Sequence, residues 1–377
     1  MPQIQRPERH ELTICGAALH HSLVAKKNSG LVFDLAKAKA MILRGGRKKW
    51  WERKGTMKSG FRYFDAGGTQ IKDEAQLERI RSLVIPPAWR HVRISPRPGS
   101  KLQVVGIDTT GRIQYRYHPK FTEKQQRAKF QKIEKFAEHL PQMRHITNEH
   151  IQLEGFPREK VLAIMLRLIN SLYFRVGTEK SVKHYKTYGI TTLQNKHMHV
   201  GRGGKLVFDF IGKSHIRHKK ILVDEELAAV MRELKDLGSS RKLFHYVDAS
   251  GKPRPLKPSD LNSYLKELTA PDFSAKDFRT WGATLLAAVN LAELGLPQDE
   301  TELKKKVVAA VKRVAEEIGN TPAVCRSSYI HPTVLTSYEK GKTIDEFRPR
   351  KSRRIKKIGA DLEPEEAALL KLFKEFS

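Results

Sequence analysis

Cysteine is nearly absent from this chain: Cys15 and Cys325 are the only two in 377 residues. Two thiols provide neither a disulfide framework nor a zinc site, and such usage fits a reducing compartment. No run of 18 apolar residues occurs, so the pattern holds no helical membrane span. Lipidation motifs and a free-standing basic amphipathic anchor are also lacking. Charge begins at Arg6 with no apolar stretch before a small-residue cleavage site, so no signal peptide is read. Acidic residues are scarce: 41 Asp plus Glu face 71 Lys plus Arg, a formal net charge of +30. A charge of this size points to a polyanionic partner, because binding releases condensed counterions. Nucleic acid is favoured over an anionic membrane on these grounds. The 39% hydrophobic content is enough for a sizeable core, and the length suits two domains or one plus an appendage.

Along the chain, residues 1–58 read as a basic and irregular leader, with a short helix over Phe33–Leu43 and a charge cluster at Arg44–Lys54. From 59 to 123 the pattern is β-rich. Phe61–Phe64, Val92–Ile94 and Leu102–Ile107 are short strand-like runs, punctuated by Gly67-Gly68-Thr69 and Pro96-Arg97-Pro98-Gly99. Helical spacing takes over at Lys124, and 124–140 reads as a hinge or linker helix. Residues 141–345 form the larger, mostly helical part. In it Val161, Ile164, Met165, Leu168 and Leu172 mark a core-facing helix over Pro157–Phe174. Three candidate strands, Ile190–Met198, Leu206–Ile211 and Ile216–Val223, interrupt it. Helices follow over Asp224–Leu237, Pro258–Thr269, Ala275–Leu294, Glu302–Ile318 and Val324–Ile330. Residues 346–377 read as a basic tail, with a run at Arg348–Lys357, and a short amphipathic helix over Glu363–Phe376. The fold class is α+β: a small antiparallel β-rich domain and a larger helical domain carrying a three-stranded sheet.

Late in the chain, Tyr329 follows the amide Asn320 by nine residues, in Gly319-Asn320-Thr321-Pro322 through Ser328-Tyr329. Attack on a phosphodiester needs a nucleophile, compensation of charge at phosphorus and a proton for the leaving oxygen. Arg175 and Arg279 suit the second task, since a guanidinium meets two phosphate oxygens and stays charged. Lys213, at a hairpin tip, suits the third. Singly, each has a plainer explanation: surface arginines, a solvated turn lysine, a half-buried core tyrosine. Arg279 could also pair with Asp277. Order and spacing together carry the reading.

Phe174-Arg175-Val176-Gly177, Phe208-Asp209-Phe210-Ile211-Gly212-Lys213-Ser214, Lys276-Asp277-Phe278-Arg279-Thr280 and the Asn320–Tyr329 segment follow one another with spacing that resembles the catalytic series of the type IB DNA topoisomerases, closest to their poxvirus-like and bacterial branch. Gly111–Pro119 resembles that branch's DNA-contacting segment, and Ile85-Pro86-Pro87-Ala88-Trp89 another stretch of the same domain. The resemblance spans roughly residues 60–345. It implies that Tyr329 forms a 3′-phosphotyrosyl intermediate, that Arg175 and Arg279 hold the nonbridging oxygens, and that Lys213 protonates the departing 5′ oxygen. Asn320 stands where many members have histidine, so a hydrogen-bond donor replaces a group able to become cationic. Lys276 becomes a supporting cation, and Gln114, Tyr115 and Tyr117 duplex contacts. The implied protein is a monomer clamping double-stranded DNA, cytoplasmic and nucleoid-associated if bacterial, with no cofactor.

Such an enzyme keeps the bond energy in phosphotyrosine and needs no ATP. Gly212-Lys213-Ser214 imitates the end of a Walker loop, but the glycine required five residues earlier is Val207. No acidic cluster or His/Cys spacing indicates a metal. His197 and His199 alternate and would share a strand face, solvated or turned to phosphate. Trp50-Trp51 among basic residues suits either base stacking or a hydrophobic plug. Two alternatives stand beside the topoisomerase reading. A tyrosine recombinase usually has a His-x-x-Arg box, which here begins with Lys276. A basic binding protein without activity needs no particular tyrosine.

Overall fold

A computed structural model describes residues 35–237, 241–269, 273–347 and 360–376. The N-terminal part is a five-stranded antiparallel sheet flanked by two helices. In chain order it contains α1 (Leu35–Ile42), β1 (Trp51–Thr56), β2 (Gly60–Phe64), α2 (Glu74–Ser82), β3 (Arg90–Ile94), β4 (Leu102–Ile107) and β5 (Ile113–Tyr117), with sheet order β2-β1-β3-β4-β5. The run Leu102–Ile107, apolar but for the buried and hydrogen-bonded Gln103, suits β4 because both of its faces are covered. Val104 packs with Trp51, Ile71, Ile80, Val92 and Ile94 on the α2 side. Val105 and Ile107 pack with Ala38 and Ile42 of α1 on the other.

The sheet begins earlier than an irregular leader over residues 1–58 allows. Trp51–Thr56 pairs with β2 and with β3. Its charged look is misleading, since Arg53 is buried and its guanidinium donates to the carbonyls of Pro86, Pro87 and Trp89, the last at 2.6 Å. Trp51 is buried and Trp50 packs on the α1 cluster, so this pair fills core rather than presenting a stacking platform.

The helical part comprises α3 (Pro119–Glu138), α4 (Leu140–Ile151), α5 (Arg158–Leu172), α6 (Glu179–Tyr185), β6 (Met198–Val200), β7 (Lys205–Ile211), β8 (Arg217–Val223), α7 (Glu225–Asp236), β9 (His245–Val247), β10 (Pro253–Pro255), α8 (Pro258–Thr269), α9 (Ala275–Leu294), α10 (Glu300–Ile318), α11 (Pro322–Ser328), α12 (Pro332–Glu339) and α13 (Pro364–Glu375). Its core is one continuous cluster in which α5 and α9 are central. The stretch read as a hinge is most of α3, which starts right after β5. Phe130, Ile133, Phe136 and Ala137 are buried in that core, with Phe136 edge-on to Phe273 and Phe278. It is a packed helix. At the far end α13 docks through Ala368, Leu369, Leu372 and Phe373, and Glu366 meets Arg144 of α4 in a bidentate pair at 2.8 Å. The basic run Arg348–Lys357 lies outside the described residues.

The three-stranded sheet has the order β6-β7-β8. Its first strand is shorter than the span Ile190–Met198 suggests: Ile190–Thr192 and Asn195–His197 are tight 3₁₀ turns, and only Met198–Val200 pairs. The cause is Gly189, whose backbone crosses that of Arg175 so closely that a β-carbon would fall 2.5 Å from the Arg175 carbonyl. The turns after it are locked by Thr192, whose hydroxyl accepts from the Gly189 amide at 3.0 Å. His197 and His199 therefore do not share a face. His197 is buried against Tyr188, with ring centroids 4.4 Å apart, while His199 is exposed.

Candidate active site

Helix α5 ends at Tyr173, whose left-handed backbone (φ 57°) turns the chain so that Phe174 is buried and Arg175 points to the end of α10. There the last carbonyls of α10 lack helical donors. Gly319, in the left-handed conformation that favours glycine, closes that helix. The Arg175 guanidinium donates to the Gly319 carbonyl at 2.7 Å and makes a short bond to the Asn320 side-chain oxygen. Arg279, in the second turn of α9, is 4% exposed. It donates to the Ile318 carbonyl at 2.8 Å and to the Tyr173 carbonyl. Both arginines are thus anchored on one helix end. Asp277 is engaged elsewhere: it caps α9 through the Ser274 amide and pairs with Lys132 at 2.9 Å.

Tyr329 follows α11, which Thr321 caps and Pro322 opens. Its amide donates to the Cys325 carbonyl at 2.9 Å, and its carbonyl accepts from Thr284 of α9 at 3.0 Å. The ring lies 5.7 Å below the Arg279 guanidinium. Burial by itself would raise the phenol pKa. Arg279, the nearby Asn320 amide, Lys276 and Arg175 outweigh it and hold the phenol below the ordinary tyrosine value. Burial, then the neighbouring Arg175, lowers Arg279 to about 10, which still leaves it cationic at neutral pH. The Asn320 side-chain nitrogen is buried and has no hydrogen-bond partner among the described residues, although it is near enough to Tyr329 to favour the phenolate. A donor of this kind costs stability unless an acceptor arrives.

Lys213 occupies the turn between β7 and β8 and is exposed. Ser214 and His215 after it both have positive φ, at 64° and 59°. Lys213 lines one small pocket with Arg175 and Arg279. It also lines a larger cleft of about 560 Å³ together with Arg175 and Arg112, and no carboxylate lines that cleft among the described residues. Arg112 comes from the hairpin between β4 and β5, and donates to the Tyr185 hydroxyl of α6 at 2.7 Å.

The structure therefore brings Arg175, Arg279, Asn320 and Tyr329 together, with Lys213 on the same pocket and the exposed Lys276 close by. The other duplex candidates sit apart on β5. Tyr115 and Tyr117 form an exposed stack with centroids 6.2 Å apart, continued by Phe121. Gln114 faces the other way and donates to Asp108 at 2.8 Å. Among the described residues no cluster of three His, Cys, Asp or Glu could hold a metal, and no helix is long and apolar enough to cross a membrane.

A family model described as the catalytic core of eukaryotic DNA topoisomerase I matches residues 118–357, and one described as the N-terminal domain of bacterial DNA topoisomerase IB matches residues 60–108. The DNA topoisomerase 1B of Acanthamoeba polyphaga mimivirus is 30% identical over 291 residues, covering 75% of this chain and 86% of the viral one. The chain belongs to the DNA topoisomerase IB family. Relaxation of supercoiled DNA by transient cleavage of one strand is accordingly its activity. Vaccinia virus DNA topoisomerase 1B (strain Copenhagen) is 24% identical over 241 residues, or 63% of this chain and 72% of the viral one. DNA topoisomerase 1 of Mycosarcoma maydis is 28% identical over 204 residues, half of this chain but 19% of its own length.

In this topoisomerase IB, sequence reasoning overlooked Lys129 and His218. Lys129 of α3 donates to the Ser328 carbonyl at 2.9 Å, just before Tyr329. Burial, then Lys276, brings its pKa down to about 8. A lysine in a charged helical run, Lys124-Gln125-Gln126-Arg127-Ala128-Lys129, reads as a solvated face, so no local signal marks it.

Proposed function

We propose that Tyr329 is the nucleophile of this topoisomerase and that Arg175, Arg279, Asn320 and Lys213 carry the transesterification on double-stranded DNA. The carrying observation is the convergence of the buried Arg279, the half-buried Arg175, a buried amide donor without a partner among the described residues, and a tyrosine with a lowered pKa at the end of one helix. The Tyr329 oxygen attacks phosphorus and the bond to the 5′ oxygen breaks. A 3′-phosphotyrosyl ester is left, and the departing oxygen takes a proton from Lys213. The phenol proton leaves to solvent as the phenolate forms. Arg175 and Arg279 neutralise the charge that grows on the nonbridging oxygens, and the free Asn320 amide supplies a further donor. Resealing is the same sequence reversed, so neither ATP nor a metal takes part in it.

The carboxylate-free cleft between the sheet and the helical part fits a monomer closing around the duplex, with the Tyr115–Tyr117 face of β5 and Lys276 touching DNA. Gln114 would first have to release Asp108. In a bacterium such an enzyme would sit on the nucleoid in the cytoplasm. The assignment of the acid is tested by Lys213→Ala. Single-turnover cleavage should slow by about 10²–10⁴-fold, the usual contribution of a positioned acid. A duplex whose leaving 5′ oxygen is replaced by sulfur, which departs unprotonated, should restore it. An equal defect on both duplexes would remove Lys213 from this role.

A further inference from the structure

His218 lies on β8, five residues after Lys213, and its ring is set among the catalytic candidates without being one of them. One face lies on Phe210, with centroids 5.3 Å apart and planes 27° from parallel. The ring edges meet two glycine backbones. A β-carbon at Gly212 would fall 2.5 Å from the ring Cδ2, and one at Gly319 would collide with Cε1. Gly212 immediately precedes Lys213, and Gly319 immediately precedes Asn320. These residues belong to separate elements, the β7–β8 turn and the α10–α11 connection. The ring is the body between them.

The turn needs such support. Lys213 to Ile216 are exposed, Ser214 and His215 hold positive φ, and the local backbone bonds are Gly212 to Ile216 at 2.8 Å and His215 to Gly212 at 3.1 Å. Strained backbone of this kind persists where its surroundings fix it. The groups facing the ring are Arg175, Lys220, Arg279 and Glu317. Burial first, and the cations second, bring its pKa down to about 4, so at neutral pH it packs as an uncharged ring. Among the described residues it makes no hydrogen bond.

We propose that His218 is a positioning residue for strand cleavage: its ring spaces the Gly212-Lys213 turn from the Gly319-Asn320 loop and so fixes the Lys213 ammonium opposite the Arg175 and Asn320 donors across one phosphate. The proposal rests on the reading of Lys213 as the proton donor. It requires ring thickness at this position and no ring nitrogen.

The test compares His218→Ala and His218→Phe in single-turnover cleavage, on an ordinary duplex and on one with sulfur at the leaving 5′ position. Thermal unfolding and binding to uncleaved duplex report folding. His218→Ala should cleave the ordinary duplex roughly 10- to 100-fold more slowly at unchanged duplex affinity, consistent with small displacements of reacting groups. His218→Phe should stay within about threefold of the parent, as expected when thickness alone is needed. The alanine defect should shrink on the sulfur duplex, where a displaced Lys213 no longer matters. A parental rate for His218→Ala would overturn the proposal. So would a phenylalanine variant as slow as the alanine one, or an alanine defect of equal size on both duplexes while Lys213→Ala is rescued. If His218→Ala does not fold, the phenylalanine result decides. If the sulfur duplex fails to rescue Lys213→Ala itself, the acid assignment falls, and the Ala and Phe comparison still judges the spacing role.

Discussion

Arg175 and Arg279 donate to backbone carbonyls of Tyr173, Ile318 and Gly319 and to the Asn320 amide oxygen, and among the described residues no carboxylate accepts from either. This choice of partner matters chemically. A carboxylate would orient a guanidinium but cancel its charge, whereas a carbonyl orients it and leaves the full cation to meet phosphate. The same field acts on Tyr329, whose pKa is lowered because Arg279, Asn320, Lys276 and Arg175 together exceed the effect of burial. A lowered pKa enlarges the phenolate fraction at neutral pH, so cleavage should rise with pH and level off below the ordinary tyrosine value near 10. Lys276 is exposed. Lys276→Ala should therefore shift this limb to higher pH and leave thermal stability unchanged; a limb that stays in place would show that Lys276 does not act on the phenol. That the proposed reacting side chains would lie together was legible in the sequence, because their types, order and spacing are tied to one chemistry. Their anchors were not, since a carbonyl is present at every residue and only folding selects Ile318 and Gly319. His218 was hidden for a similar reason: its role is its thickness between two distant glycines.

At the scale of elements, α10, α9 and α5 each contribute one end or turn to the site, and the short α11 leads into Tyr329, the proposed nucleophile. Long amphipathic helices such as α9 and α10 were readable from their periodicity. The short pieces were not. β6 is three residues long, and the 3₁₀ turns before it exist because Gly189 and Arg175 cross. β1 was concealed by Arg53, a buried residue that looks solvated until its three carbonyl acceptors are known. The docking of α13 was likewise unreadable, for it depends on Glu366 meeting Arg144 and on the Trp281 indole, which donates to Glu366 at 3.1 Å. With 9% and 3% of the two side chains exposed, removing one partner strands a buried charge. Glu366→Ala should cost about 3–5 kcal/mol. That lowers the unfolding temperature by roughly 10 °C, at about 2–4 °C per kcal/mol for a chain of this class. A shift within about 1 °C would show that α13 is held by its apolar face alone.

For the whole molecule, the excess of 30 positive charges and the proposed seating of duplex in the cleft between sheet and helices set the expected terms of DNA binding. Composition alone pointed to a polyanion, but only the fold shows positive groups from both parts, Arg112 and Arg175, lining one cleft. Each phosphate neutralised releases counterions, so affinity for duplex should drop roughly a thousandfold or more between 50 and 200 mM salt if six or more phosphates are engaged. A drop below about tenfold would contradict a clamp of this extent.

The central claim, that this topoisomerase works through Tyr329, is tested most directly by relaxation of supercoiled plasmid in EDTA without ATP, comparing the parent with Tyr329→Phe. Relaxation by the parent and none by the variant is the expected result, because phenylalanine keeps the ring under Arg279 and removes only the attacking oxygen. Equal relaxation by both proteins would contradict the account and place the nucleophile elsewhere.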